Sequence, residues 1–122
     1  MKKVTYIETY YYFCLMRKLR LFGGYFQQFI KSLTPDEQKK MNYILDLLKW
    51  NERISSKFVK HLRDGLFEIR MEYNGSIYRV FFIFDEGNII VLFNGFQKKS
   101  QKTPVSEITR ALKIKEDYYA SK

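Results

Sequence analysis

The segment from Leu66 to Phe96 constrains the fold more than any other part of the sequence, because two turn signals divide it into three strand-like runs. In the first run apolar and polar residues alternate, which is the period of a half-buried β-strand. Asn74-Gly75 is a strong hairpin signal, and a second turn follows at Asp85 to Asn88. The sequence therefore predicts a three-stranded antiparallel meander, with strands at Leu66 to Tyr73, Ser76 to Phe84 and Ile89 to Phe96.

Helical patterns lie on both sides of this meander. Tyr25 to Leu33 carries apolar residues at helical spacing. A second helix follows at once, with Thr34 as a good N-cap and Pro35 at the first helical position, and it is expected to run to about Trp50. These two segments predict an αα-hairpin. A last helix is expected from Val105 to about Tyr119.

The remaining segments complete the predicted order of elements. Val4 to Phe13 is rich in β-branched and aromatic residues and predicts a strand, whereas Arg17 to Phe22 is a basic segment and Lys57 to Gly65 a basic connector. The order predicts an α+β fold: a small twisted antiparallel sheet with an N-terminal helical hairpin and a C-terminal helix. A chain of 122 residues fits a single domain spanning residues 1–122.

Charge and cysteine content narrow the function. Twenty-two Lys and Arg stand against 13 Asp and Glu, which gives a net charge of +9 and favours polyanionic partners such as nucleic acid. One cysteine and one histidine allow neither an internal disulfide nor a zinc-finger site, and we expect no metal or other cofactor. The apolar stretch Tyr10 to Met16 is too short to cross a bilayer and lacks a signal-peptide cleavage site, so a cytoplasmic location without membrane contact is expected.

Three segments resemble a known family. They are Gly65-Leu66-Phe67-Glu68-Ile69-Arg70, then Tyr78-Arg79-Val80-Phe81-Phe82, and then the run from Asn94-Gly95-Phe96 through Gln97-Lys98-Lys99-Ser100-Gln101-Lys102-Thr103-Pro104. They are similar to the HigB-like branch of the RelE/ParE toxin superfamily. The resemblance implies a RelE/ParE-like fold and the toxin of a type II toxin–antitoxin pair. It further implies an endoribonuclease that cuts messenger RNA on the ribosome, and a cognate protein antitoxin, expected to be a helix-turn-helix DNA-binding protein.

Cleavage in such a family needs no metal, because the 2′-hydroxyl of the RNA attacks the adjacent phosphorus and cationic side chains stabilise the developing charge. Arg70 and Arg79 stand at equal distances from the Asn74-Gly75 turn and are candidate catalytic residues. Whether they share a face depends on strand register, and they could equally be exposed charges paired with Glu68 or Glu72. Lys98 and Lys99 complete the candidate catalytic set. The candidate RNA-binding residues are Lys57, Lys60, Arg63, Asn94 and Lys102.

Two departures from the family pattern leave the proton carrier open. Many HigB-like sequences have a histidine where this chain has Asn94, and an amide cannot transfer protons. Some relatives use a tyrosine in the final helix, and the nearest matching position in this chain is Val105. His61 is more often, in such a setting, a surface or packing residue than a base. The alternatives are a catalytically weak or inactive binding module and a ParE-type inhibitor of DNA gyrase.

Overall fold

The structure is a computed structural model, and it describes residues 16–51, 53–98 and 103–122. These residues form five strands and three helices. In chain order they are β1 (Lys18–Leu21), α1 (Tyr25–Lys31), α2 (Pro35–Trp50), β2 (Val59–Arg63), β3 (Leu66–Tyr73), β4 (Ser76–Asp85), β5 (Ile89–Lys98) and α3 (Val105–Ala120). The strand predicted at Val4 to Phe13 lies outside the described residues.

The five strands form one mixed sheet in the order β1-β5-β4-β3-β2. The three predicted strands and the Asn74-Gly75 hairpin are confirmed by β3, β4 and β5, which are antiparallel neighbours. The predicted small antiparallel sheet is wrong, because β1 joins β5 in parallel and β2 adds a fourth antiparallel strand at the other edge. Both added strands are edge strands of four and five residues with exposed basic residues, and they are too short for a pattern of apolar residues to reveal a strand in the sequence.

The predicted N-terminal helical hairpin also needs correction. Both helices form, and Thr34 caps α2 in a capping box in which its backbone N–H donates to Glu37 Oε1 (2.8 Å) and its Oγ1 accepts from Glu37 N–H (3.2 Å). The helices are not a unit packed on itself, however: α1 is only seven residues long and packs mainly on β5, whereas α2 packs on β3. Each helix directs its apolar face at the sheet because the apolar face of the sheet needs cover.

Both faces of the sheet are buried over much of their area. On one face α1 and α2 enclose a core with the inward side chains of the strands, among them Met41, Ile44, Ile69 and Leu92. On the other face α3 covers a second core that includes Leu66, Phe81, Phe93 and Ile114. The face that carries α3 also carries the residues Leu66, Glu68, Arg70 and Glu72, which alternate along β3. No helix in the described part of the chain is long and apolar enough to cross a membrane.

Gly95 permits the close approach of α1 to β5. A Cβ atom at this position would lie 2.6 Å from the Phe29 ring, which is shorter than any ordinary contact. We expect Gly95→Ala to lower the free energy of unfolding by about 1–3 kcal/mol, because α1 must move off the sheet to admit one methyl group. Urea unfolding measures this loss. Gly75→Ala is not an equivalent control, since Gly75 has a positive φ of 82°, but Gln27→Ala, at an exposed position of α1, is suitable. An unchanged midpoint for Gly95→Ala would contradict the expectation.

A buried carboxylate anchors the C-terminal end of α3. Asp85 accepts hydrogen bonds from the Tyr118 hydroxyl (2.6 Å) and from Lys122 Nζ (2.7 Å), and Arg20 Nη1 donates to the same hydroxyl (2.6 Å). These contacts hold the pKa of Asp85 below its ordinary value, with the Lys122 bond contributing most and the Tyr118 bond next. The cluster ties α3 to β1 and to the end of β4.

The lowered pKa of Asp85 predicts a specific loss of stability in acid. A group whose folded pKa is lowered stabilises the fold fully above its unfolded pKa of about 3.9, and this contribution is lost as the pH falls through the folded value. We therefore expect Asp85→Asn to be less stable than the unmodified protein at about pH 7 and to lose less on further acidification. Urea unfolding of both proteins, from about pH 7 down through the acid range, measures how each free energy of unfolding changes with pH. Equal acid sensitivity in both proteins would contradict it.

Candidate functional site

The register of β3 and β4 places the two candidate arginines together. Arg70 and Arg79 are direct cross-strand partners about the Asn74-Gly75 turn, so their side chains leave the same face of the sheet. Their surroundings differ. The Arg79 side chain is 7% exposed, whereas that of Arg70 is 37% exposed and forms an ion pair with Glu72 at 3.0 Å. Arg70 thus also forms the ion pair with a neighbouring acid that the alternative interpretation predicted. The Arg70 side chain is partly exposed to solvent, whereas the Arg79 side chain is buried.

Glu68 is the buried partner of Arg79. Arg79 Nη1 lies 2.9 Å from Glu68 Oε1, and the Thr103 hydroxyl donates to Glu68 Oε2 at 2.8 Å. Desolvation lowers the pKa of the Arg79 guanidinium, and the charge of Glu68 opposes this shift. Further hydrogen bonds to a buried ion pair offset the cost of its desolvation, and the bond from Thr103 does this for Glu68. Glu68 thus links β3, β4 and the segment that enters α3.

Lys98 lies at the end of β5 and is 7% exposed. Its pKa is lowered, first by desolvation and second by the positive charge of Arg79, while Glu68 opposes the shift and the charges of Arg70 and Lys60 add to it. Lys60 on β2 is the cross-strand partner of Glu68. Four cations from four strands therefore act around one carboxylate. We call the set of Lys60, Glu68, Arg70, Arg79 and Lys98 the basic cluster.

The basic cluster can hold an anion. Within the described residues, Arg79 Nε is buried and has no hydrogen-bond partner. An arginine can bind a phosphate through two donors, and a lysine adds a point charge. Excess positive charge around one carboxylate, with a donor left over, is an arrangement that a phosphate group would stabilise.

The structure brings Lys57 to this region but not Arg63 or His61. Lys57 lies beside Arg70 on a small cavity of about 160 Å³, with its Nζ 5.5 Å from the centre of the Phe58 ring. Arg63 forms an ion pair with Asp64 at 2.8 Å, at the turn between β2 and β3. His61 is exposed and its ring meets Phe67 with centres 4.9 Å apart. Phe67 packs on the core under α1 and α2, so His61 belongs to the opposite face, as a packing residue does.

Asn94 is separate from the basic cluster. It is 2% exposed, and within the described part of the chain its two amide atoms have no hydrogen-bond partner. It lies where the register of β4 and β5 shifts, and it lines a cleft of about 390 Å³ that no residue of the basic cluster lines. Asn94 therefore lies apart from the basic cluster, and its assignment as an RNA-binding residue stays a prediction. Lys99 and Lys102 lie outside the described residues and stay predictions.

Glu68 was named from the sequence only as a possible partner of exposed arginines, and its burial was not predicted. It stands two residues from Arg70 on the same strand, and this spacing puts both on the face that carries Arg79. Thr103 was missed altogether. Thr103 has no such signal, because a strand-to-helix loop has no period that predicts its contacts. Val105, at 78% exposure, begins α3, and Tyr118 belongs to the Asp85 cluster rather than to the basic cluster. Among the described residues, no group of three or more His, Cys, Asp or Glu side chains could hold a metal ion.

Comparison with known proteins supplies a family. A family model described as phage derived protein Gp49-like (DUF891) matches residues 28–116, which is more than half of the chain and includes every residue of the basic cluster. A search of curated proteins finds no match.

Proposed function

Because the chain belongs to the Gp49-like family, a toxin-like family of the RelE/HigB type in toxin–antitoxin systems, we propose that it is a HigB-like toxin that cuts messenger RNA on the ribosome. The basic cluster is the observation that carries the proposal. Arg70, Arg79 and Lys98 lie on one face of the sheet. A phosphodiester that is being cleaved needs several positive charges close together, because negative charge builds up on its phosphorus. The family implies a protein antitoxin, and we propose a helix-turn-helix DNA-binding protein in that role.

The proposed reaction moves two protons and exchanges one bond at phosphorus. The 2′-oxygen of the RNA forms a bond to the adjacent phosphorus and gives its proton to a solvent water, while the bond from phosphorus to the 5′-oxygen breaks and that oxygen gains a proton. Arg79, held in place by Glu68, and the half-exposed Arg70 would stabilise the extra negative charge on phosphorus. The requirement for a 2′-hydroxyl would make the enzyme specific for RNA.

Lys98 is the proposed proton donor to the leaving 5′-oxygen. Its lowered pKa makes its ammonium group a stronger acid than an exposed lysine, so it can supply the proton that Asn94 cannot. Lys60 and Lys57 would contact RNA phosphates on either side, without reading sequence. A substrate on translating ribosomes places the protein in the cytoplasm.

Mapping of RNA 5′ ends after induction of the protein in a bacterial host tests this function. We expect growth arrest with new 5′-hydroxyl ends inside translated messages. Arg70→Ala should lose both effects, because Arg70 is proposed to stabilise the charge on phosphorus. Since Arg70 is half-exposed, this substitution should leave the fold intact. Lys113→Ala, on the exposed face of α3, is the matched control. Growth arrest without new ends would refute RNA cleavage. DNA-damage signalling with intact transcripts would instead indicate gyrase inhibition.

The environment of Asn94 favours one second candidate, a binding module without catalysis. This amide is buried and lacks hydrogen-bond partners among the described residues, at the position where many relatives of the HigB-like branch carry histidine. Such a protein would bind its antitoxin but leave growth and transcripts unchanged, so the induction experiment separates the two.

A further inference from the structure

The outer edge of β5 is open over its second half. β5 runs to Lys98, but β1 pairs with it only as far as Leu92, so the edge from Phe93 to Lys98 has no strand neighbour among the described residues. The cleft of about 390 Å³ lies against this edge. Four consecutive residues, Asn94 to Gln97, line it. Gly95 faces Phe29 of α1 whereas Phe96 packs on the core under α3, so the cleft reaches both faces of the sheet and passes along the edge of β5, where backbone groups are presented.

The walls of this cleft come from both faces of the sheet. Phe29 of α1 lies on one side and Arg110 of α3 on the other, and Tyr25, which packs against the core under α3, has its ring centre 5.9 Å from the Arg110 guanidinium. A slot with a strand edge as its floor and a helix on each side fits an extended peptide. Such a peptide satisfies the backbone groups of the edge by adding a strand. Asn94 adds an amide whose two polar atoms have no hydrogen-bond partner in the described chain.

Charge selects the kind of peptide. Among the described residues that line the cleft, Arg110 is the single charged one and none is acidic. The net charge of +9 adds a long-range attraction for acidic partners. We propose that an extended acidic segment of the protein partner binds this cleft as a sixth strand on β5, with a carboxylate facing Arg110. This inference deepens the proposed function by specifying how the partner binds, and it does not depend on RNA cleavage.

Amide hydrogen exchange of the full chain tests the proposal. The probe is a blocked hexapeptide of alternating valine and glutamate, and the comparison peptides are its valine–lysine counterpart and a version with N-methylated backbone amides. At about millimolar peptide we expect the acidic probe to slow exchange about tenfold at outward amides of Asn94 to Gln97. The N-methylated peptide, which cannot extend a sheet, should protect none of them. Arg110→Glu should weaken the acidic probe about tenfold and favour the lysine peptide, whereas Lys113→Glu on the same helix should change neither preference.

Four results would overturn the proposal. The first two are no protection of β5 at saturating peptide and protection confined to the β2 edge. The third is exchange that slows as the protein concentration rises in the absence of peptide, which would indicate that a second copy of the chain binds the edge. The fourth is stronger protection by single-stranded RNA than by the acidic peptide. The result is independent of the cleavage assay: an Arg70→Ala protein that cuts no RNA should still bind the acidic peptide, because Arg70 does not line the cleft.

Discussion

Glu68→Ala is expected to lower the free energy of unfolding by about 3–5 kcal/mol, because it leaves the guanidinium of Arg79 buried without its carboxylate. Repulsion among the remaining cations of the basic cluster adds to this loss. The charge of Arg70 acts on Arg79, and the charges of Arg79 and Arg70 act on Lys98, at a site with little solvent to screen them. The loss also frees the Thr103 hydroxyl, which donates to Glu68 at 2.8 Å. Urea unfolding at neutral pH measures the change.

Glu72→Ala is the matched control for this substitution. It removes the same side chain from the same strand and breaks an arginine pair of similar length, but Glu72 is 59% exposed where Glu68 is 2% exposed. An exposed ion pair contributes about 0–1 kcal/mol. The double variant Glu68→Ala with Arg79→Ala should recover part of the loss, because the buried guanidinium that lost its carboxylate is then removed as well. If Glu68→Ala costs no more than Glu72→Ala, the burial of this pair does not organise the site.

Lys98→Ala is expected to reduce RNA cleavage about 100-fold while the protein stays folded. The proposed role needs the protonated amine, so the rate of cleavage should fall as the pH rises through the lowered pKa of Lys98. Lys98→Arg should keep part of the charge stabilisation but lose this pH dependence, because an arginine does not deprotonate in the accessible range. Single-turnover cleavage of a ribosome-bound message over a range of pH measures both effects.

Lys113→Ala, a lysine on the exposed face of α3, serves as the control and should match the unmodified protein at every pH. A Lys98→Ala protein that cleaves normally would refute the role of Lys98. A Lys98→Ala protein that is slower by a factor independent of pH would restrict Lys98 to charge stabilisation and leave the proton donor to the ribosome.

Local sequence signals determined the parts of the fold that depend on neighbours in the chain. The turn at Asn74-Gly75, the alternation along β3 and the cap at Thr34 each act over a few residues, and each predicted an element or contact that the structure contains. The symmetric spacing of Arg70 and Arg79 about that turn placed them opposite each other, because a two-residue hairpin fixes the register of its strands.

Contacts between segments that are far apart in the sequence are visible only in the folded structure. β1 and β2 are edge strands whose exposed basic residues hide their pairing, and neither α1 nor α2 indicates which strand it will cover. The sequence determined that the chain carries an excess of cations and in which segments they stand. The tertiary structure shows that Glu68 is buried among them, that Asn94 lies apart from them and that, within the described residues, the second half of β5 has no strand on its outer edge. These outcomes follow from strand order and burial, which are set by contacts between distant segments rather than by any local pattern.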